Sequence, residues 1–307
     1  MTRSSSAPLS RPSPKALAIA SVAVCAVIWG TTWYAITFQL GVVDPIASIV
    51  WRFGLASVVL FILAKATGQS IRLTRYQHLM AAAQGLLAFG MSYAFVYAAE
   101  SRITSAIVAV AFASMALLNL IMFRLIEGQK ASRSVWMGAG LGTIGVAVMS
   151  GGELLGADVS PVMALGVILS LVAAVASTGG NYFAWRGQQA GSNVLPGTAW
   201  AMAYGTAGLV IYGLVTGVHW SIALTPAYIG SLLYLSIIGS VVAFALYLNL
   251  GRSHGYTLAS YIGALTPVIA TLVSVLFEGA RFQWTALAGL VLVILGQVLV
   301  IRSPKKV

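Results

Sequence analysis

The side chains with the greatest chemical capacity in this sequence are aromatic rings and hydroxyls inside long apolar runs. In the first run, Trp29, Thr32 and Trp33 lie three and four residues apart, which puts them on one helix face. Rings bind flat molecules through edge and stacking contacts worth roughly 0.5–1.5 kcal/mol beyond area burial. Hydroxyls add hydrogen bonds to polar groups. This combination predicts reversible binding of a small solute.

The same combination recurs in later apolar runs. Phe89, Tyr93 and Tyr97 lie four residues apart on one helix face, with Ser92 beside them. Further polar and aromatic residues occur in the sixth, eighth and ninth runs. The residues expected to line a binding cavity are Trp29, Thr32, Trp33, Phe89, Ser92, Tyr93, Tyr97, Asn181, Tyr182, Tyr234 and Tyr261.

A structural role is the alternative for each of these rings. Trp and Tyr form belts at membrane surfaces, and small residues permit close helix packing. Trp29 and Tyr93 lie near the centres of their runs, which favours the cavity, whereas Trp33 lies one turn nearer the surface and suits either role. The belt is favoured for rings near the ends of runs, namely Trp51, Trp136, Trp185, Tyr247 and Trp284.

Ionisable residues are almost absent from the apolar runs. Arg52 is the clear exception, about 10 Å along its run from Pro45. Its guanidinium either extends to the surface or serves the mouth of a pathway. All Asp and Glu residues occur in loops or at helix ends, so no intramembrane proton carrier is expected.

The sequence also lacks the common catalytic patterns. It contains no Walker motif, no HExxH and no pair of carboxylates within one apolar run. We therefore expect no enzyme activity, no metal site and no cofactor.

The elements that position these residues are predicted to be membrane-spanning helices. The chain is 59% hydrophobic and 7% charged, against about 25% charged residues in soluble domains. A transmembrane helix needs about 20 apolar residues. Ten runs meet this criterion, at about 16–38, 45–65, 77–98, 103–125, 134–150, 161–185, 195–216, 227–249, 256–277 and 284–301. The predicted fold class is an all-α polytopic membrane protein.

The placement of basic residues predicts that both termini are cytoplasmic. With that orientation, only Arg102 and Arg281 of the 17 Lys and Arg residues lie outside, and Arg52 lies within a run. This bias follows the positive-inside rule. The net charge of +11 then reflects topology and contact with anionic lipids, so nucleic acid is not an expected partner.

The two halves of the chain share a sequence pattern. Four residues of the first half recur in the second half at the same distance along the sequence. The pairs are Glu127 and Glu278, Gly128 and Gly279, Gly138 and Gly289, and Gly145 and Gly296. Coincidence between glycine-rich segments is the alternative. Because each half would contain five helices, the second half would cross the membrane in the opposite sense, as in inverted-repeat transporters. The predicted organisation is one transport domain between cytoplasmic tails at 1–15, predicted to be disordered, and 303–307, with repeats at 16–153 and 154–302.

Several motifs also resemble a known family. The segment at residues 243–279 reads AFALYLNLGRSHGYTLASYIGALTPVIATLVSVLFEG. It resembles the most characteristic segment of EamA-type carriers in the drug/metabolite transporter superfamily. Trp29-Gly30 and Arg52-Phe53 support the resemblance, which covers residues 16 to 302. The aromatic lining is similar, more narrowly, to YddG-type aromatic amino-acid exporters.

Helix bending would accompany transport in such a carrier. The expected bending points are Gly30, Gly179, Gly180, Gly263 and Pro267. The first half has Ser114 or Met115 where the second has Pro267, so a proline-dependent helix break is expected only in the second half.

The resemblance implies a bacterial inner-membrane carrier that exports small metabolites by alternating access, most simply amino acids with aromatic or apolar side chains. Facilitated or weakly coupled transport is favoured, because no intramembrane carboxylate is visible. Export of flat drugs or nucleobases is the first alternative, and a lipid-handling or scaffold protein is an alternative of another class. A monomer is compatible with the sequence, which does not determine the oligomeric state.

Overall fold

The computed structural model describes residues 14–155, 160–254, 256–279 and 284–301. Nearly all of the two predicted tails, at 1–15 and 303–307, therefore lies outside the described residues. Within them the chain is helical and contains no β-strand. This confirms the all-helical fold class.

Thirteen α-helices and two π-helical segments make up the described chain. They are α1 (Pro14–Thr37), α2 (Pro45–Ala66), α3 (Arg75–Gln84), the first π segment (Gly85–Met91), α4 (Ser92–Glu100), α5 (Ser105–Ala113), α6 (Met115–Ile126), α7 (Arg133–Leu155), α8 (Pro161–Gln189), α9 (Val194–Thr216), α10 (Pro226–Leu233), the second π segment (Tyr234–Val242), α11 (Ala243–His254), α12 (Tyr256–Phe277) and α13 (Trp284–Ile301).

Seven helical runs among the described residues are long and apolar enough to cross a membrane. They are Leu17–Thr37, Pro45–Ala66, Arg75–Glu100, Ser105–Ile126, Pro161–Gln189, Val194–Thr216 and Pro226–Tyr247. Shorter apolar stretches follow at Leu265–Phe277 and Leu287–Gly296. The protein is therefore a polytopic helical membrane protein.

Local sequence signals explain where the helices begin and end. Thr74 caps α3 in a capping box, in which its hydroxyl accepts from the backbone N–H of Gln77 and the Gln77 side chain accepts in return. Asp44 caps α2 by accepting from the N–H of Ile46 at 2.8 Å, with Pro45 at the first helical position. Gly217 ends α9 in a left-handed conformation with φ of 75°, which favours glycine.

The two π segments occupy similar places in their runs. Each follows a short α-helix and continues directly into another, so the run Arg75–Glu100 and the run that begins at Pro226 both change helical pitch partway. The first π segment packs against α8 and α9, and the second packs against α1 and α2. No sequence pattern predicted these segments. π-helical turns frequently occur at functional sites.

Helices α7 and α13 approach closely through glycines. A methyl group on Gly145 would lie 2.6 Å from the carbonyl oxygen of Gly289, and one on Gly296 would meet the carbonyl oxygen of Gly138. As the residue number rises from 138 to 145 along α7, its partner falls from 296 to 289 along α13. The two helices are therefore antiparallel, and glycine permits their close contact.

The helix through Pro267 corrects one expectation. Helix α12 continues from Tyr256 to Phe277 with Pro267 inside it, whereas the first half is interrupted at Ser114, between α5 and α6. A proline-dependent helix break was expected in the second half, but α12 is continuous through Pro267, and the interruption at Ser114 in the first half involves no proline. Proline removes one backbone donor, here the one that would reach the carbonyl of Gly263, and flanking packing against α1 keeps the helix continuous.

Candidate binding site

Aromatic side chains from four helical runs meet in the interior of the bundle. The ring of Trp29 on α1 lies 5.5 Å from that of Phe244 and 5.4 Å from that of Tyr247, both on α11. The ring of Phe244 lies 6.1 Å from that of Phe89 in the first π segment. These distances lie within the range of edge and offset contacts between rings.

The series of ring contacts continues from Phe89 to α2 and α4. The rings of Phe53 and Phe89 lie 5.1 Å apart, and those of Phe53 and Tyr93 lie 4.7 Å apart. We call the six residues Trp29, Phe53, Phe89, Tyr93, Phe244 and Tyr247 the aromatic cluster. It joins helices from both halves of the chain, so a change in their relative position must rearrange it.

The second π segment brings α1 close to this cluster. The indole Nε1 of Trp29 donates to the carbonyl oxygen of Gly239 at 3.2 Å. A methyl group on Gly239 would lie 2.8 Å from Cγ2 of Thr32, so glycine is needed for this approach. The Thr32 hydroxyl donates to the carbonyl of Trp29 at 2.7 Å, within its own helix. The cluster therefore depends on a glycine within a π-helical turn.

Arg52 lies at one end of the aromatic cluster. Its guanidinium carbon lies 4.7 Å from the ring centre of Tyr93 and 5.0 Å from that of Phe53. The residue is 1% exposed, which rules out extension to the membrane surface. Its Nε and Nη1 atoms are buried without a hydrogen-bond partner. The two rings stabilise the cation through their negative faces.

A set of buried polar residues adjoins Arg52, and we call Gln39, Arg52, Tyr97 and Glu100 the polar cluster. The Tyr97 hydroxyl donates to Oε1 of Gln39 at 2.7 Å and also interacts with Arg52. Glu100 is 7% exposed, and neither of its carboxylate oxygens has a hydrogen-bond partner. Its carboxyl group lies within electrostatic range of Glu278 and Arg52. Glu100 was expected at a helix end, and its burial there was not expected.

The two glutamates of the repeated sequence lie at opposite ends of one helical run. Oε2 of Glu278 accepts from the hydroxyl of Ser105 at 2.7 Å, where the run Ser105–Ile126 begins. Glu127 follows the end of that run, about 33 Å away by helical rise. Its Oε1 accepts from the Tyr182 hydroxyl at 2.6 Å and from Nη1 of Arg186 at 3.1 Å.

The structure brings some of the predicted site residues together. Trp29, Phe89 and Tyr93 belong to the aromatic cluster, and Tyr97 belongs to the adjoining polar cluster. Trp33 is buried, with its ring 4.8 Å from that of Phe112, so it does not lie in an interfacial belt. Its indole nitrogen has no hydrogen-bond partner.

Other predicted site residues serve contacts between helices. The Ser92 hydroxyl donates to the carbonyl of Ala173 and contacts that of Ser177 at 2.9 Å, both on α8. The Tyr234 hydroxyl contacts that of Thr31 on α1. Tyr182 binds Glu127, as described above. The side chain of Tyr261, on α12, lies outside the described part of the structure.

Asn181 is exposed on α8 although it does not lie on that helix's main exposed face. The apolar residues Leu165, Ile168, Val172 and Val175 are exposed along one side of α8, as expected for a lipid-facing stripe. Asn181 lies six residues after Val175, about 240° around the helix. It therefore lies on a different side of α8 from the lipid-facing stripe.

The predicted bending points have different surroundings. A methyl group on Gly30 would lie 2.5 Å from Cβ of Ile269, and one on Gly180 would lie 2.5 Å from Cβ of Ala88. Gly179 approaches Leu87 less closely. A methyl group on Gly263 would meet no described atom within 4 Å. Gly30 and Gly180 thus permit close packing, and bending at these glycines and at Pro267 stays a prediction.

Several site residues were missed by sequence reasoning. Phe53 and Phe244 were not predicted as site residues, and Tyr247 was expected in an interfacial belt although it contacts Trp29. Glu100 lies three residues after Tyr97, on the same helix face, and this spacing could have associated it with the site. Gln39 follows the predicted end of the first run and carried no comparable signal.

Comparison with known proteins places this arrangement in a family. The model of the EamA-like transporter family matches residues 16–151 and 164–302. The "Uncharacterized inner membrane transporter YedA" of Escherichia coli (strain K12) is 29% identical over 294 residues, covering 91% of this chain and 90% of that protein. "Protein PecM" of Dickeya dadantii (strain 3937) is 25% identical over 270 residues, covering 87% and 86%. A crystal structure with a TM-score of 0.69 and 18% identity covers 92% of this chain and 95% of its own, which shows a shared fold.

Proposed function

Because the chain belongs to the EamA-like transporter family, we propose that it exports small metabolites across the bacterial inner membrane by alternating access. The protein is a membrane transporter and not an enzyme. The proposed substrates are amino acids with aromatic or apolar side chains. The observation that carries this substrate class is the aromatic cluster, which ends at the buried cation of Arg52.

The aromatic cluster suits a small, partly flat solute. Its rings come from α1, α2, α11 and the continuous run through Phe89 and Tyr93, so they can surround a ligand from several sides. Each ring contact contributes roughly 0.5–1.5 kcal/mol beyond area burial. That range is sufficient to select a substrate and weak enough to release it.

We propose that the two halves form inverted five-helix repeats at 16–153 and 154–302, ten membrane-spanning helices in all. The two family matches cover nearly the same halves. The close contacts pair Gly145 with Gly289 and Gly296 with Gly138, so the repeat-related positions exchange roles, as an approximate two-fold axis requires. The antiparallel contact of α7 with α13 supports opposite orientations of the copies. Helix α1 packs against α11 and α12, and α8 packs reciprocally against α4, α5 and α6.

The distribution of charge supports cytoplasmic termini in this arrangement. The loop residues Arg72 and Lys130 and the first residue of α7, Arg133, fall on the proposed cytoplasmic side, whereas Asp44 and Arg102 fall on the outer side. Glu127 and Arg186 then lie at the cytoplasmic end, and the polar cluster lies towards the outer end.

Alternating access requires contacts that can open at either end. At the proposed cytoplasmic end, Glu127 joins α6 to α8 through Tyr182 and Arg186. Arg186 also donates to the Tyr76 hydroxyl at 2.9 Å, which adds α3. At the other end, Ser105 and Glu278 join α5 to the end of α12. These hydrogen bonds join helices of different halves, so each set suits a gate.

Counterflow in proteoliposomes tests the proposed substrate class. Liposomes loaded with unlabelled solute are given labelled phenylalanine, tryptophan, leucine, a nucleobase or a flat cationic drug. We expect saturable counterflow of phenylalanine and tryptophan. Movement of the nucleobase or drug alone would replace the substrate class with the first alternative. Absence of saturable movement for the whole panel would contradict transport of aromatic solutes altogether.

A further inference from the structure

Arg52 and Glu100 are a buried basic and a buried acidic side chain that both adjoin Tyr97 and form no ion pair with each other. The described residues contain only the Arg186–Glu127 salt bridge. Nε and Nη1 of Arg52 and both carboxylate oxygens of Glu100 lack hydrogen-bond partners. Four buried atoms of these two side chains thus have no hydrogen-bond partner.

Such an arrangement is unfavourable unless something else satisfies it. A buried charge is stable only when it is paired, hydrogen-bonded or neutralised. The Tyr97 hydroxyl donates a hydrogen bond to Oε1 of Gln39, whereas Nε2 of Gln39 has no hydrogen-bond partner. The polar cluster therefore presents unused donors from Arg52 and Gln39 and unused acceptors from Glu100.

We propose that Arg52 and Glu100 bind the carboxylate and ammonium groups of a zwitterionic α-amino acid whose side chain lies among the aromatic cluster. This inference rests on the proposed function and names the part of the substrate that the polar cluster recognises. Arg52 supplies charge-assisted hydrogen bonds to the carboxylate, and Gln39 supplies one more. Glu100 accepts from the ammonium group.

The position of Arg52 supports this assignment. Its guanidinium stacks on Tyr93 and Phe53, and both rings belong to the aromatic cluster. The charged end of the site is therefore continuous with its apolar part, in the same order as the head group and side chain of an amino acid. The cluster holds Arg52 in place through its rings, which leaves the Nε and Nη1 donors free.

The two charges also predict selectivity against singly charged analogues. An amine without a carboxylate leaves Arg52 unpaired, and a carboxylic acid without an amine leaves Glu100 unpaired. Loss of a hydrogen bond to a charged group reduces affinity by about tenfold to a hundredfold. A site built only from rings would not discriminate among such analogues in this way.

The first test uses the wild-type protein and needs no variant. Counterflow of labelled phenylalanine is inhibited with unlabelled phenylalanine, phenethylamine, which lacks the carboxylate, and hydrocinnamate, which lacks the amine. We expect each analogue to inhibit at least about tenfold more weakly than phenylalanine. Equal inhibition by all three ligands would overturn the head-group site while leaving transport of aromatic amino acids intact.

The second test determines which of the two residues, Arg52 or Glu100, binds the carboxylate and which binds the ammonium group. In Arg52→Gln, phenylalanine should lose about tenfold in affinity whereas phenethylamine changes little, so discrimination against the amine disappears. In Glu100→Gln, discrimination against hydrocinnamate should disappear instead. Lys65→Gln, which removes an exposed cation at the end of α2, is the matched control and should keep both ratios.

Because each substitution should abolish discrimination against a different analogue, the two variants distinguish ligand recognition from a structural role. If Arg52 and Glu100 only support the fold, each substitution weakens all three ligands equally, and the inference fails. If neither variant folds, the wild-type ligand series still decides. If the wild-type protein does not move labelled phenylalanine at all, the proposed substrate class fails together with the inference.

Discussion

The indole Nε1 of Trp29 donates a hydrogen bond to the carbonyl oxygen of Gly239, on the other half of the chain. This bond joins α1 to the second π segment and fixes the orientation of the Trp29 ring against Phe244 and Tyr247. One indole thus uses its polar edge to hold the helices together and its apolar faces to form the site. Substitutions can separate these two roles.

Trp29→Ala should lower the apparent affinity for aromatic substrate by about tenfold, since it removes ring contacts worth roughly 0.5–1.5 kcal/mol each. Trp29→Phe keeps a ring and loses only the N–H, so we expect a smaller effect on affinity and a loss of about 1 kcal/mol of stability. Substrate concentration series in counterflow measure the affinity. Trp284→Ala, at a side chain that is 81% exposed, is the control. Equal affinity in Trp29→Ala and the control would remove Trp29 from the site.

Gly145→Ala should destabilise the contact between α7 and α13. The added methyl would lie 2.6 Å from the carbonyl oxygen of Gly289, and overpacking of this kind costs about 1–3 kcal/mol. Gly296→Ala should cost a similar amount, because Gly296 meets Gly138 in the reciprocal contact. Thermal unfolding in detergent measures the change.

Gly140→Ala is the control for these two glycines, because no described atom outside its own stretch of helix lies within 4 Å of the added methyl. It should be neutral or stabilising through helix propensity. Midpoints for Gly145→Ala and Gly296→Ala as high as that of Gly140→Ala would contradict the close approach of the two helices.

Arg186→Gln should shift the transporter towards the state that is open at the Glu127 end. The substitution removes the charged donor from Glu127 and from the Tyr76 hydroxyl. A cysteine placed at Asn181 then reports the opening through its rate of maleimide labelling, which should rise severalfold. Arg72→Gln, at an exposed position in the loop before α3, is the control. Unchanged labelling in Arg186→Gln would show that this network does not gate access.

Cys25 should resist thiol reagents while the protein is folded. It is 0% exposed, and its sulfur lies 3.7 Å from the carbonyl oxygen of Ala243 on α11. Maleimide labelling should therefore be slow in mild detergent and complete after denaturation, measured by mass spectrometry. Rapid labelling of folded protein would contradict the packing of α1 against α11. Cys25→Ala should keep activity and supply the background for introduced cysteines.

The orientation of the chain can be tested in intact cells with that background. Val42→Cys, in the exposed loop between α1 and α2, should react with a membrane-impermeant maleimide added outside. Ser70→Cys, exposed between α2 and α3, should react only after permeabilisation. The opposite pattern of labelling would reverse the proposed topology.

The helical class and the central rings followed from the sequence because they depend on local patterns. Apolar length predicts membrane helices, and three- and four-residue spacing placed Trp29 and Tyr93 on inward faces. The polar cluster did not follow, because the burial of Glu100 depends on neighbouring helices and not on its position in its own helix. Arg52 was recognised as unusual, but its stacking on Tyr93 is a contact between helices.

The π segments were equally invisible to sequence patterns. Each contains a glycine that packs closely against a residue far away in the chain, Gly85 against Ala201 and Gly239 against Thr32. The expectation that Pro267 would break its helix was also based on local sequence. Helix α12 is continuous through Pro267, whereas α5 and α6 are separated at Ser114. Local propensity yields to such packing in helices as elsewhere.

The first π segment has a mechanical consequence for the residues that follow it. A π-helical turn contains about one residue more than an α-helical turn. Conversion of the π segment to α-helix would therefore rotate helix α4, Ser92–Glu100, by about 100° around its axis and shift it by about 1.5 Å along that axis. Tyr93, Tyr97 and Glu100 belong to this helix and would move together as a rigid body. A single change of helical pitch would thus move the Tyr93 ring away from Phe53 and, at the same time, the Glu100 carboxylate away from Arg52.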